Sequence, residues 1–346
     1  MPIEHETRDG ALVWIRNPIT GVISYVVDVR NKSFAFTLGI GDERAQPAHL
    51  TDDQVRAATR KCPFCPGNEH LCTSELFRMT PAEVPEWTGH SKRDGDQWVI
   101  RVFNNLFPRI PAELTGGRNE SYIVVEDPRH FVDSPRSHGD LMCTEMLGEA
   151  HFRHLLEADV RVMHMAWENR SVRSVVVRKN QGRESGASQP HPHQQIIGSP
   201  EPFPAVAAEA RAERETPGLF EEIITLMDRL GLVIENEAGV VSYASPIGTF
   251  PRSYDVMMPE YRDATLADLS ADEMKRFAGA IFRILRLMGP LPMDYEIHQG
   301  EGLPLHAHIN ARMFPYSNVA GTLNLPSTLL ERTRDIRKAL SRPGRP

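Results

Sequence analysis

Hydrophobic and polar positions along the chain follow two periods. Between positions 143 and 169, Met146, Phe152, Leu155, Leu156, Val160, Met163 and Trp167 recur at helical spacing and predict one long amphipathic helix. Positions 270–288 predict a second helix, opened by a Ser270/Glu273 capping box, and 209–230 reads as mostly helical. Short apolar runs at 98–103, 121–125, 174–177, 242–243, 254–258 and 294–298 predict strands. The stretch 14–29 predicts a hairpin around the turn residues Asn17, Pro18 and Gly21. Residues 40–60 are polar and read as irregular, ending in a Pro- and Gly-rich knuckle from Cys62 to Asn68.

The order of these elements repeats. A long helix, a strand and a turn lead to His191 and His193, and the same order leads to His306 and His308. Duplication of one unit of about half the chain follows, and with it an α+β fold of two similar lobes, mainly antiparallel sheets flanked by helices. The expected lobes are 1–200 and 201–346, with no low-complexity linker between them.

Composition narrows the class. The 346 residues are 40% hydrophobic and 25% charged, with a net charge of −7 and a pI near 6.1. That balance argues against a nucleic-acid or anionic-membrane surface and suits small anionic substrates met in a local basic pocket. The first residues lack a basic-then-apolar targeting pattern and no apolar run approaches a bilayer span, so a cytoplasmic protein is expected. Four cysteines, Cys62, Cys65, Cys72 and Cys143, with the first two only three apart, suggest metal or redox spacing rather than a disulfide framework.

Candidate chemistry concentrates in two places. In an extended strand His191, His193 and Gln195 share one face, where an imidazole can act as base, ligand or nucleophile. The Gly182–Gly186 loop and Ser188 just upstream can close backbone donors around a phosphate. Cys62 and Cys65 form half of a tetrahedral zinc site, whose missing ligands are sought among the histidines, His130 and His191 first; two reduced, buried cysteines without metal are the alternative. His298, His306 and His308 offer three imidazoles around one hairpin, to which Glu209 adds a carboxylate; a solvated histidine cluster is the alternative there.

The run Asn180, Gly182, Gly186, Ala187, Ser188, His191, Pro192, His193 and Gln195 resembles the active-site signature of the galactose-1-phosphate uridylyltransferase family, a branch of the histidine-triad superfamily. Further parts follow the family's order: Asn17 to Gly21, the Cys62/Cys65 knuckle, Asn105 with Phe107 and Pro108, Asp127 to His130, and the His298 to His308 hairpin. The resemblance spans residues 13 to 315 or so. It implies that His193 is a covalent nucleophile carrying a nucleoside monophosphate, uridylate in the family, from a nucleotide donor to a sugar 1-phosphate. It further implies that Gln195, Ser188, Asn180, Gly182 and Gly186 serve the phosphates, that Arg30 and Asn105 contact substrate, and that Cys62, Cys65, His130 and His191 hold a structural zinc. Glu209, His298, His306 and His308 correspond to a second metal site, zinc or iron, and the family's closed homodimer is the implied assembly.

Three departures redirect the substrate reading. Arg30-Asn31-Lys32-Ser33-Phe34 has one arginine fewer than the family's nucleoside-binding segment, and Asn318 to Asn324 contains no acid where the family has a hexose-binding glutamate. Gln194 replaces a small residue beside the nucleophile. Galactose 1-phosphate is therefore expected to be a poor acceptor. Two alternatives to sugar 1-phosphate transfer remain: a phosphorylase or hydrolase on the same fold, and a non-catalytic zinc protein.

Overall fold

The computed structural model describes residues 3–27, 51–89, 98–135, 140–312 and 320–341. Arg30 and its neighbours through Phe34, and Asn318 and Val319, lie outside the described residues. Strands run over His5–Arg8 (β1), Ala11–Arg16 (β2), Ile23–Val27 (β3), Glu75–Met79 (β4), Ile100–Asn104 (β5), Glu120–Val125 (β6), Ser174–Gln181 (β7), His193–Ser199 (β8), Val233–Glu237 (β9), Val240–Ala244 (β10), Ser253–Arg262 (β11), Met293–His298 (β12), Pro304–Ala311 (β13) and Thr322–Pro326 (β14). Helices are Asp52–Lys61 (α1), the single turn Ala112–Thr115 (α2), Glu149–Glu168 (α3), Pro204–Glu215 (α4), Leu219–Arg229 (α5), Ala271–Met288 (α6) and Leu329–Leu340 (α7). The class is α+β, as expected.

The chain forms two compact units, one of Met1–Glu43, Pro204–Asp268 and Met293–Pro346, the other of Arg44–Phe203 and Leu269–Pro292. Relative to a division at 200/201, β1, β2 and β3 lie with the C-terminal segments, and 269–292 lies with the N-terminal ones.

In the second unit the antiparallel sheet runs β4-β5-β6-β8-β7. α3 packs across β6, β7 and β8 and against α6, with Phe152 and Phe282 rings 5.7 Å apart. α6 starts as expected, with Ser270 and Glu273 forming the reciprocal capping bonds. α3 starts at Glu149, later than the periodicity suggested, because Gly148 interrupts the helix with φ 96° and leaves Met146 exposed in a separate 3-10 turn. Cys62, Phe64, Cys65, Trp98, Phe103, Ile123 and Val125 form a compact apolar cluster with the knuckle.

The polar stretch ending at the knuckle is not irregular throughout: Asp52–Lys61 is a helix with a Thr51/Gln54 capping box, acids in its first turn and bases in its last. It buries none of its residues, so no apolar stripe announced it. Asn68 Nδ2 donates to the carbonyls of Thr59 and Cys62 at 2.8 and 2.7 Å, which ends the helix at Cys62.

In the first unit β12-β13-β11-β10-β9 make an antiparallel sheet, and β1-β2-β3-β14 a smaller one in which β14 joins β3 in parallel. α5 and α7 pack on β9 and β10. The register sets His298 opposite His306, and Asp255 and Glu296 on either side of His308.

Candidate active site and metal centres

β8 begins at His193, paired with Val125 of β6. The His193 ring is buried, with its edge toward Phe64 at 5.0 Å between centroids. Its Nδ1 lies 2.8 Å from the His191 carbonyl. A carbonyl only accepts, so Nδ1 carries the proton and Nε2 keeps its lone pair. Burial, and then the Lys179 charge, lower the pKa to about 4, so the imidazole is neutral at pH 7. This is the tautomer and charge state a nucleophilic imidazole requires.

Two residues earlier, His191 turns the other way. Its Nε2 donates to the Asp127 carbonyl at 2.7 Å, which directs Nδ1 at the cysteines, 3.6 Å from Cys65 Sγ and 3.7 Å from Cys62 Sγ. His130 Nδ1 lies 3.4 Å from Cys65 Sγ, and the four ligand atoms all fall within 4.8 Å of one another. Around a tetrahedral zinc with Zn–S of about 2.3 Å and Zn–N of about 2.05 Å, the S–N edge is about 3.5 Å. The arrangement fits. The Cys65 thiol beside it holds the Cys62 thiol far below its ordinary range, and Cys65 is pushed up in turn, so the pair is already disposed to present one thiolate. Asp127 is itself secured: its carboxylate accepts from Arg129 Nε and Nη2, both at 2.8 Å, and from Trp87 Nε1 at 2.9 Å.

Beside this strand lies a cavity of about 580 Å³ lined by Lys179, Asn180, Gly182, Ser188, Pro192 and Pro292, among others. Asn180 orders its loop: Nδ2 donates to the Ser185 carbonyl at 2.5 Å, and Oδ1 accepts from Arg178 Nε at 3.0 Å. Gly182 has φ 79°, and a Cβ there would meet Pro292 at 3.0 Å, so backbone conformation and close approach both require glycine. Gly186 has φ 88°. Of the residues expected at the phosphates, Asn180, Gly182 and Ser188 line this cavity; Gly186, His193 and Gln195 are not in its wall. Asn105 spends its amide on its own turn, donating to Ser121 Oγ at 3.2 Å and accepting from the Phe107 N–H at 3.0 Å. Arg30 lies outside the described residues.

The first unit holds the other ligand cluster. His298 Nδ1 and Glu209 Oε2 are 2.7 Å apart, His308 Nε2 and Glu209 Oε1 3.1 Å, and His306 Nε2 and Glu209 Oε2 3.4 Å. The outward ring nitrogens face acceptors: the Pro304 carbonyl for His306, Asp255 for His308, both at 2.7 Å, and Glu296 for His298 at 3.5 Å. His306 Nε2 is buried and, among the described residues, makes no hydrogen bond. Three oriented imidazoles and a carboxylate fit a divalent transition metal such as zinc or iron. Glu209 is held well below the usual carboxylate range by His298 and His306 despite its burial.

Charge patterning missed one buried group. Lys179 Nζ donates to Glu126 Oε1 at 2.5 Å, and Glu126 Oε2 accepts from Thr144 Oγ1 at 2.6 Å. A lysine ending the apolar run Val175, Val176 and Val177, and an acid following Val124 and Val125, were the available signal.

No protein-family model matches the chain. Its fold is shared with a solved uridylyltransferase, which superposes with a TM-score of 0.59 at 20% identity, covering 74% of this chain and 89% of the other. A crystal structure of an ADP-glucose phosphorylase from Arabidopsis thaliana with bound ADP-glucose gives a TM-score of 0.67 at 18% identity, covering 95% and 99%. In sequence the chain is similar to the ADP-glucose phosphorylase of Arabidopsis thaliana, 25% identical over 262 residues. That match takes in 68% of this chain and 66% of the relative's length. Among the described residues no helix is long and apolar enough to cross a membrane.

Proposed function

We propose that the protein is a nucleotidyltransferase that carries a nucleoside monophosphate on His193. The observation that carries this is the His193 ring itself: neutral, with Nδ1–H held by the His191 carbonyl and the Nε2 lone pair available. Nε2 attacks the α-phosphorus of a nucleotide donor, the N–P bond forms, and the α-phosphorus–oxygen bond to the leaving phosphate breaks. The acceptor's phosphate oxygen then attacks the same phosphorus, the N–P bond breaks, and the lone pair returns to Nε2. Gln195, Asn180, Ser188 and the Gly182–Gly186 loop are assigned to the phosphoryl oxygens, where amide and hydroxyl donors meet the moving negative charge. Cys62, Cys65, His130 and His191 would hold a structural zinc that anchors the strand; bound there, it supplies rigidity rather than chemistry. Glu209, His298, His306 and His308 would hold a second ion, and a homodimer is the proposed assembly.

Two acceptors are in play, a sugar 1-phosphate other than galactose 1-phosphate and inorganic phosphate. The missing acid in Asn318 to Asn324 and the similarity to an ADP-glucose phosphorylase favour inorganic phosphate. The base, uracil or adenine, is decided by experiment. Purified protein is incubated with UDP-glucose or ADP-glucose and its intact mass measured. A gain of one nucleoside monophosphate, acid-labile and absent in His193→Ala, is expected. Discharge by inorganic phosphate marks a phosphorylase, and discharge by a sugar 1-phosphate marks a transferase. No adduct with any donor would leave the non-catalytic zinc protein standing.

A further inference from the structure

Residues 191–193 are held from one short segment. The Glu126 N–H donates to the Pro192 carbonyl at 3.1 Å, and the Asp127 carbonyl accepts from His191 Nε2. Lys179 Nζ, buried on β7, lies 2.5 Å from Glu126 Oε1 and 3.4 Å from the His193 carbonyl. Glu126 therefore reaches this tripeptide twice, through its backbone and through the lysine that its side chain holds. Thr144 Oγ1 and the Glu126 backbone carbonyl's partner, His151 Nε2 at 2.8 Å, secure Glu126 in turn.

A buried ion pair of this kind is a poor stabiliser, because apolar residues of the same volume usually do as well or better. Its location suggests a different use. The direction of His193 Nε2 is set by the Nδ1 bond to the His191 carbonyl, and that bond depends on the orientation of the peptide planes on either side of His193, the first held by the Glu126 N–H and the second by Lys179 Nζ. We infer that Lys179, held by Glu126, is a positioning residue for His193: it fixes the peptide plane after the nucleophile so that Nε2 keeps its line of attack on phosphorus.

This inference rests on the proposed nucleotidyl-His193 reading, and the experiment separates the two. Lys179→Met combined with Glu126→Leu removes the pair without leaving a lone buried charge. Zinc content, the thermal transition, donor affinity and the single-turnover rate of His193 adduct formation are measured with UDP-glucose and ADP-glucose. The expected result is retained zinc and donor affinity with adduct formation slowed about 10- to 100-fold. Lys179→Gln, too short to reach the His193 carbonyl, is the second variant and should slow the same step in the same direction. Adduct formation at the wild-type rate in a folded variant overturns the inference, as does a loss shared equally by rate, donor affinity and zinc content. A wild-type protein that forms no adduct overturns the functional reading instead.

Discussion

His193 and His308 each end a His-x-His tripeptide, the first at the start of β8 and the second within β13, and their surroundings give them opposite character. His193 Nδ1 meets a backbone carbonyl, and burial beside Lys179 lowers its pKa to about 4. His308 lies between Asp255 and Glu209, and those carboxylates, Asp255 foremost, hold its pKa well above the ordinary value in spite of burial. The first ring is a neutral lone-pair donor. The second, set between two carboxylates, favours its protonated form, and would be a ligand braced by a carboxylate if a metal were bound. Even the clustered positions differ: His191, grouped with Cys62 and Cys65, precedes His193 and β8, whereas on β13 both histidines face Glu209. Spacing alone does not assign chemistry; the group beyond the ring does.

The sharpest way to break this contrast is to exchange the two for alanine. His193→Ala should lower turnover by about 10³-fold or more, as loss of a covalent nucleophile does. His308→Ala should leave turnover within about tenfold, since an outlying ligand acts through structure. Comparable losses, read as steady-state turnover of a nucleotide sugar, would remove the distinction.

Metal content separates the centres next. Cys65→Ser or His191→Ala should eliminate one equivalent of zinc by elemental analysis and lower the thermal transition, because metal binding and folding are coupled at a closed four-ligand site. The metal held by Glu209, His298, His306 and His308 should remain. Full zinc occupancy in His191→Ala would contradict the ligand set.

Two carboxylates should respond to pH in opposite directions. Burial raises the Glu145 pKa to about 7, so the folded state binds the extra proton and this stabilisation is lost as pH rises from 4.5 to 7. Its size is at most about 3–4 kcal/mol, and Glu145→Gln should abolish the slope in urea unfolding. Glu209 is shifted down, so in metal-free protein its contribution is present above pH 4.5 and lost as pH falls through its folded value. Glu209→Gln should remove that acid-side component; an identical slope in both variants would sink the contrast.

The smallest effect is expected at Asp255. Asp255→Asn keeps the side chain's size but weakens the acceptor for His308 Nδ1, and should reduce metal affinity at the Glu209 centre about 10- to 100-fold, with the zinc at Cys62 and Cys65 unchanged. Competition with a chelator measures both.

Much of this architecture was legible in the chain. The 270–288 helix announced itself by apolar spacing and a capping box, and the two His-x-His segments by their repeated place after a long helix, a strand and a turn. Both ligand sets could be proposed by residue number, as candidates from the spacing of cysteines and histidines and as complete sets only from the family resemblance. The helix over Asp52–Lys61 escaped because it buries nothing, and periodicity reports burial rather than backbone conformation. The late start of α3 escaped for a local reason: one glycine at positive φ ended a pattern that side chains alone continued.

By itself, then, the sequence determined the α+β class, the two histidine strands and the residue types able to bind metal or attack phosphorus. Those follow from local periodicity and from the chemistry of the side chains. Only the tertiary structure decided that Asp127 turns His191 toward the cysteines, that His191's own carbonyl leaves His193 Nε2 unprotonated, and that Lys179 and Glu126 meet beside His193. A tautomer and a pKa are properties of partners brought together from distant positions, here by sheet register and burial, and no short-range pattern encodes them.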